Sequence, residues 1–137
     1  MMRSPLFVVP LALAFIAATP PPPVKVPLLP QHGSKMSGTA TLAHRMVKPP
    51  VVDVAIVLDG VFIPENRYPA GVYTGTCAKL SAEPAYELKP VVGGRSDTVV
   101  KVNPPKPGPY VIAVLNTAGT QTISCGALPM MRHAHER

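Results

Sequence analysis

From Val51 to Asp59 the chain alternates. Val52, Val54, Ile56 and Leu58 fall on one side, and Asp53, Ala55, Val57 and Asp59 on the other. A period of two over this length predicts a half-buried strand, and Asp59-Gly60 supplies the turn pair that ends it. Ser96 to Val102 repeats the pattern, with Thr98, Val100 and Val102 opposite Asp97, Val99 and Lys101. Tyr110 to Leu115 is almost wholly apolar and predicts a central strand. Gly38–Ala43, Val72–Thr74 and Thr120–Ser124 are shorter candidates, and Tyr86-Glu87-Leu88 leads into a break at Pro90. Gly93-Gly94 marks a turn, and Asn103 to Pro109 a rigid connection. Strands this short and this regularly spaced predict an all-β fold, an antiparallel sandwich or barrel.

The beginning of the chain follows different rules. Met1 to Ser4 is short and basic, Leu6 to Ala18 is apolar with Pro10 inside it, and the run ends in the small residues Ala17 and Ala18. This is the layout of a secretory signal peptide over residues 1–18, cut near Ala18–Thr19. The run is too short for the roughly 20 residues of a spanning helix, so no transmembrane anchor is expected after cleavage. A secreted or periplasmic location follows. Residues 19–33 hold Pro20 to Pro23, Pro27 and Pro30. This density predicts an extended proline-rich spacer excluded from any sheet ladder. The folded domain is expected over 34–129, followed by a flexible basic tail at 130–137.

Composition narrows the classes. Nineteen of the 137 residues are proline and 10 are glycine, which excludes a helical bundle or coiled coil. The formal net charge is +6, but the cations are scattered, there is no tryptophan, and aromatics are few. A nucleic-acid surface needs clustered cations with stacking aromatics, so no nucleic-acid partner is expected. The scattered charge implies only mild attraction to anionic envelope components, and the sequence identifies no specific partner.

The chain has two cysteines, Cys77 and Cys125. In an exported chain an even count reads as a disulfide. A bridge closing about 50 residues would contribute roughly 4 kcal/mol on chain-entropy grounds. A cysteine-based metal site would need CxxC spacing or nearby histidines, and neither is present.

Tyr68-Pro-Ala-Gly-Val-Tyr-Thr-Gly-Thr-Cys77 resembles a motif of the copper/zinc superoxide dismutases and their small secreted relatives, the SOD-like and CHRD-type domains. In that family a Pro-Ala-His-x-His-x-Gly-x-Cys run sets two copper-binding histidines before the bridging cysteine. Ser37-Gly-Thr-Ala-Thr-Leu42 is similar to the family's first strand. Pro84 to Ser96, Gly108-Pro-Tyr-Val-Ile-Ala-Val-Leu115 and Ile123-Ser-Cys-Gly126 follow in the family's order, so the resemblance spans about residues 36–128. It implies a Greek-key β-sandwich or barrel, SOD-like and immunoglobulin-like in architecture, stapled by Cys77–Cys125.

The same resemblance locates what is missing. Gly71 and Tyr73 stand where the family's His-x-His stands, and Leu115 stands at a third copper histidine. Thr122 replaces a guiding arginine, and no histidine lies between Cys77 and Val99. Copper cycling needs imidazole or thiolate donors, so these positions are read as a degenerate metal site, with no catalytic residue and no cofactor. Tyr73 and Tyr86 are expected to line and fill the former pocket, the alternative being an exposed contact. The expected function is a structural or binding module of a bacterial cell envelope.

The competing reading is a superoxide dismutase-like or copper-handling protein. Its candidate ligands are His133 and His135, spaced on one side of an extended segment, with Met130 and Met131 beside them. His32 and His44 lie near the start, as do Met36 and Met46. The seven acids, Asp53, Asp59, Glu65, Glu83, Glu87, Asp97 and Glu136, form no evident catalytic pair, and no nucleophile or phosphate-binding motif is present.

Overall fold

Alternation is realised as strand. The computed structural model describes residues 22–60, 62–102 and 107–129. Its strands are β1 (Val24–Pro30), β2 (Ser37–Arg45), β3 (Val51–Asp59), β4 (Arg67–Thr76), β5 (Lys79–Leu80), β6 (Tyr86–Val92), β7 (Arg95–Lys101), β8 (Tyr110–Leu115) and β9 (Thr122–Ala127). All pairings are antiparallel, in the order β4-β6-β7-β3-β2-β1-β9-β8, and β8 pairs back with β4. Eight strands therefore close a barrel, and β5 is an extra strand paired with the end of β4 at Gly75 and Thr76. β4, β6 and β7 are sequential neighbours, and β8 returns to lie beside β4, which is a Greek key.

The side chains predicted to face inward do so. Val52, Val54, Ile56 and Leu58 of β3 are buried and join Val72, Val91, Val100, Ile112 and Val114 in one core. Each such side chain contributes about 1.5–3 kcal/mol when fully buried. The Gly93-Gly94 turn joins β6 to β7 with both residues at positive φ, a backbone shape that glycine adopts without penalty.

Three sequence expectations are corrected. Part of the expected spacer is strand β1, which pairs with β2 over Val24–Leu28 and with β9 at Leu29 and Pro30. Val26 and Leu28 enter the core, so the alternation here outweighs the prolines. Pro27 is tolerated because its carbonyl faces Gly126 of β9. Its nitrogen shares that side, and the β1–β9 register starts only at Leu29, so no ladder donor is missing.

Pro90 does not break its strand either. The β4–β6 register shifts between Tyr68↔Val91 and Ala70↔Leu88, leaving Lys89 and Pro90 opposite Pro69. This is a bulge, where a proline removes no ladder bond. On its other side Ser96 Oγ donates to the Lys89 carbonyl at 2.7 Å, and Thr98 Oγ1 accepts from the Lys89 amide at 2.8 Å. Two hydroxyls thus replace ladder partners. Finally, the short strand expected at Val72–Thr74 is the middle of the longer β4.

The expected leader, its cleavage point and the tail with His133 and His135 lie outside the described residues.

Candidate functional site

Side chains alternate along β4, so Val72 points into the barrel while Gly71 and Tyr73 lie on its outer face. The register places Gly71 beside Ala113 and Tyr73 beside Val111 on β8, and Ala113 beside Cys125 on β9. Tyr73, Val111, Ala113 and Cys125 form a second apolar cluster, and Leu115, Leu80 and Cys77 pack against it. The positions read as degenerate ligands therefore converge on one patch. Thr122 joins its edge, paired with Leu115.

A cover lies over this patch. After β4, Cys77 is bonded to Cys125, with Cα atoms 5.9 Å apart. β5 folds back onto Gly75 and Thr76. The Ser81 amide then donates to the Thr74 carbonyl at 3.0 Å, and the Ala85 amide to the Val72 carbonyl at 2.7 Å. Pro84 is thereby brought above Gly71, where an added Cβ would stand 3.0 Å from the Pro84 Cβ and 3.1 Å from the Tyr73 ring. The bridge staples the cover at one end and the hydrogen bonds fix the other.

The patch does not fit a copper ion. Gly71 and Leu115 carry no donor atom. The Tyr73 phenol is pushed above the ordinary tyrosine range, first by burial and then by the nearby Glu87 carboxylate. Both effects disfavour the phenolate, the form that binds metal. Among the described residues no three His, Cys, Asp or Glu side chains gather as a metal-holding group.

Tyr86 is a correction. It pairs with Val72, faces the main core, and sits 6.1 Å from Tyr110 between ring centroids. Tyr73 fills the outer patch without it. Register decides this, because the two tyrosines sit on adjacent strands with opposite facing.

The described histidines lie far apart in the fold. His44 is exposed on β2. His32 sits in the β1–β2 connection with φ 52°, and its Nδ1–H donates to the Thr122 carbonyl at 2.9 Å. Ser34 Oγ and the Gln31 amide both donate to the Ile123 carbonyl. This clamp ties the β1–β2 connection to the start of β9, and nothing in the sequence pattern announces it. Asp53 forms a forked pair with Arg45 at 2.7 and 3.0 Å, and the hydrogen bonds from Arg45 hold its carboxyl below the usual range. Met36 is buried in the core and Met46 is exposed, so the two form no thioether pair.

Compared with known proteins, the chain matches no family model, no curated protein and no solved structure.

Proposed function

We propose that the chain is an exported, non-catalytic relative of the copper/zinc superoxide dismutase-like domains, acting as a structural or binding module of the cell envelope. One observation carries this reading. The Tyr73 ring and Pro84 occupy the space above Gly71, and Leu115 packs in the same cluster, so the positions assigned to copper ligands are filled with apolar contacts. A polar pocket that loses its ligands is unfavourable unless apolar groups fill it, and here they do. The Greek-key order of β4, β6, β7 and β8, and the bridge between Cys77 and Cys125, support the resemblance on which the reading rests. The bridge also suits an oxidising compartment.

The test is metal loading. The purified chain, with and without residues 131–137, is incubated with copper and zinc, and bound metal and superoxide decay are measured. The reading expects neither tight stoichiometric copper nor accelerated decay from the truncated form. Tight copper in the truncated form overturns it. Copper bound only by the full chain supports the competing copper-handling role for His133 and His135.

A further inference from the structure

The hairpin between β2 and β3 sits at one end of the barrel, on the wall opposite β4 and β8. Every residue from His44 to Pro50 is exposed. Its tip presents Met46 with 60% and Val47 with 48% of their surface in water. Arg45 is neutralised by Asp53, but Lys48 follows the apolar pair directly. Lys101 flanks the same end, since it pairs with Val51 in the β3–β7 ladder. Among the described residues no carboxylate lies within ion-pair distance of either lysine.

Chain direction adds a second observation. β1 starts beside Leu42, near this hairpin, and β9 ends at Ala127, beside the start of β8. β8 in turn starts at the end of the barrel where β7 finishes. The segments before residue 22 and after residue 129 therefore join the barrel at the hairpin's end. The second of these contains Arg132 and Arg137.

We infer that this hairpin is a membrane-docking tip, in which Met46 and Val47 enter the interface of an anionic phospholipid surface while Lys48 and Lys101 meet its headgroups. Two apolar side chains alone bind a bilayer weakly, and cations near an anionic surface each add to the partition. The lysines make the occupant anionic lipid, since a purely apolar partner surface would leave both charges uncompensated as they lose water. The barrel would then stand with its hairpin end toward the bilayer.

The absence of tryptophan makes the test site-specific. The full chain carrying Val47→Trp is mixed with phosphatidylcholine vesicles, with or without about one third phosphatidylglycerol. The expected result is a blue-shifted emission, quenched by brominated lipid, with the anionic vesicles only, and reversed as salt screens the surface. Lys48→Glu or Lys101→Glu should each lower the partition coefficient about tenfold or more. Met46→Ser should weaken binding without changing its salt dependence. Val99→Trp, exposed halfway along β7, serves as the control and should show no shift. Sedimentation with vesicles but no Val47→Trp shift would assign binding to another part of the chain and overturn the proposal. Equal shifts on neutral vesicles, or no binding at all, would also overturn it. None of these outcomes bears on metal binding at the Tyr73 patch, so the two proposals fail independently.

Discussion

The ring of Tyr73 lies against the backbone of Gly71, two residues earlier on β4, where a Cβ would come within 3.1 Å of Cε1. Gly71 is not at positive φ, so its constraint is space rather than backbone shape. Gly71→Ala should therefore cost about 1–3 kcal/mol by overpacking, since Pro84 blocks the other side. The cost should fall in a Tyr73→Leu background, where the ring no longer occupies the space, and the remainder should reflect Pro84. Urea unfolding of both single variants and the double variant measures that coupling. Additive effects would show that the ring and Gly71 do not share this space energetically.

The cover over the patch depends on Cys77–Cys125. Replacing both cysteines by alanine should lower stability by roughly 2–4 kcal/mol. It should also loosen the segment from Cys77 to Ala85 more than the barrel wall. Hydrogen exchange is the check. The amides of Ser81 and Ala85, bonded to Thr74 and Val72, should lose protection first, and those of Ile112 and Val114 last. Uniform loss across the chain would mean that the bridge acts on the whole barrel and not on its cover.

Much of the barrel was legible because its strands alternate. Val52, Val54, Ile56 and Leu58 reveal their inward face without any knowledge of neighbours, and Tyr110–Leu115 reveals a strand buried on both sides. Prolines misled where their effect depends on direction. Val24, Val26 and Leu28 alternate just as β3 does, but whether Pro27 breaks a ladder depends on which neighbour its nitrogen faces. The same holds for Pro69 and Pro90, which are harmless only because they meet at one bulge. At the site, spacing along β4 put Gly71 and Tyr73 on one side. The arrival of Pro84 above them, and the turning of Tyr86 to the opposite side, follow from long-range register that no local pattern encodes.

That bulge has its own consequence. Ser96 and Thr98 serve the carbonyl and the amide of Lys89 in place of backbone partners. Ser96→Ala leaves the carbonyl without its donor in a part-buried position, and Thr98→Val strips the amide of its acceptor. The first should cost about 1–2 kcal/mol, and the second, whose bond is exposed, about 0.5 kcal/mol. The pair should be less than additive, because once one bond is gone the bulge relaxes and the second is already weakened. Denaturant midpoints of the two single variants and the double variant decide this. Costs near zero would show that water takes over both roles.

Ser124 predicts the opposite sign. Its hydroxyl is fully buried on β9, where Ser124 pairs with Val114, and has no hydrogen-bond partner among the described residues. The folded state therefore carries the desolvation cost of a hydroxyl without a compensating bond. Ser124→Ala removes that group and leaves only a small space, so stability should rise by up to about 1 kcal/mol. A loss of stability on this substitution would place a bound water or an alternative rotamer at the hydroxyl.

Tyr73 also sets an alkaline limit. Its phenol loses its proton above the ordinary tyrosine range in the folded chain, because of burial first and the Glu87 carboxylate second. The unfolded chain loses the same proton near pH 10. Between that value and the raised folded value, the folded state holds more protons than the unfolded state, so stability must fall as pH rises through this window. Below about pH 10 the contribution is complete and flat. Tyr73→Phe cannot ionise, so its stability should decline less steeply above pH 10, although Tyr68, Tyr86 and Tyr110 remain in both chains. The difference between the two pH profiles isolates Tyr73 from the other tyrosines and the lysines. Glu87→Gln should move the wild-type fall to slightly lower pH, since it removes the smaller of the two causes that raise the phenol. Superimposed profiles for Tyr73→Phe and the parent chain would show that the ring ionises as freely as in the unfolded chain, and that the cover does not exclude water from it.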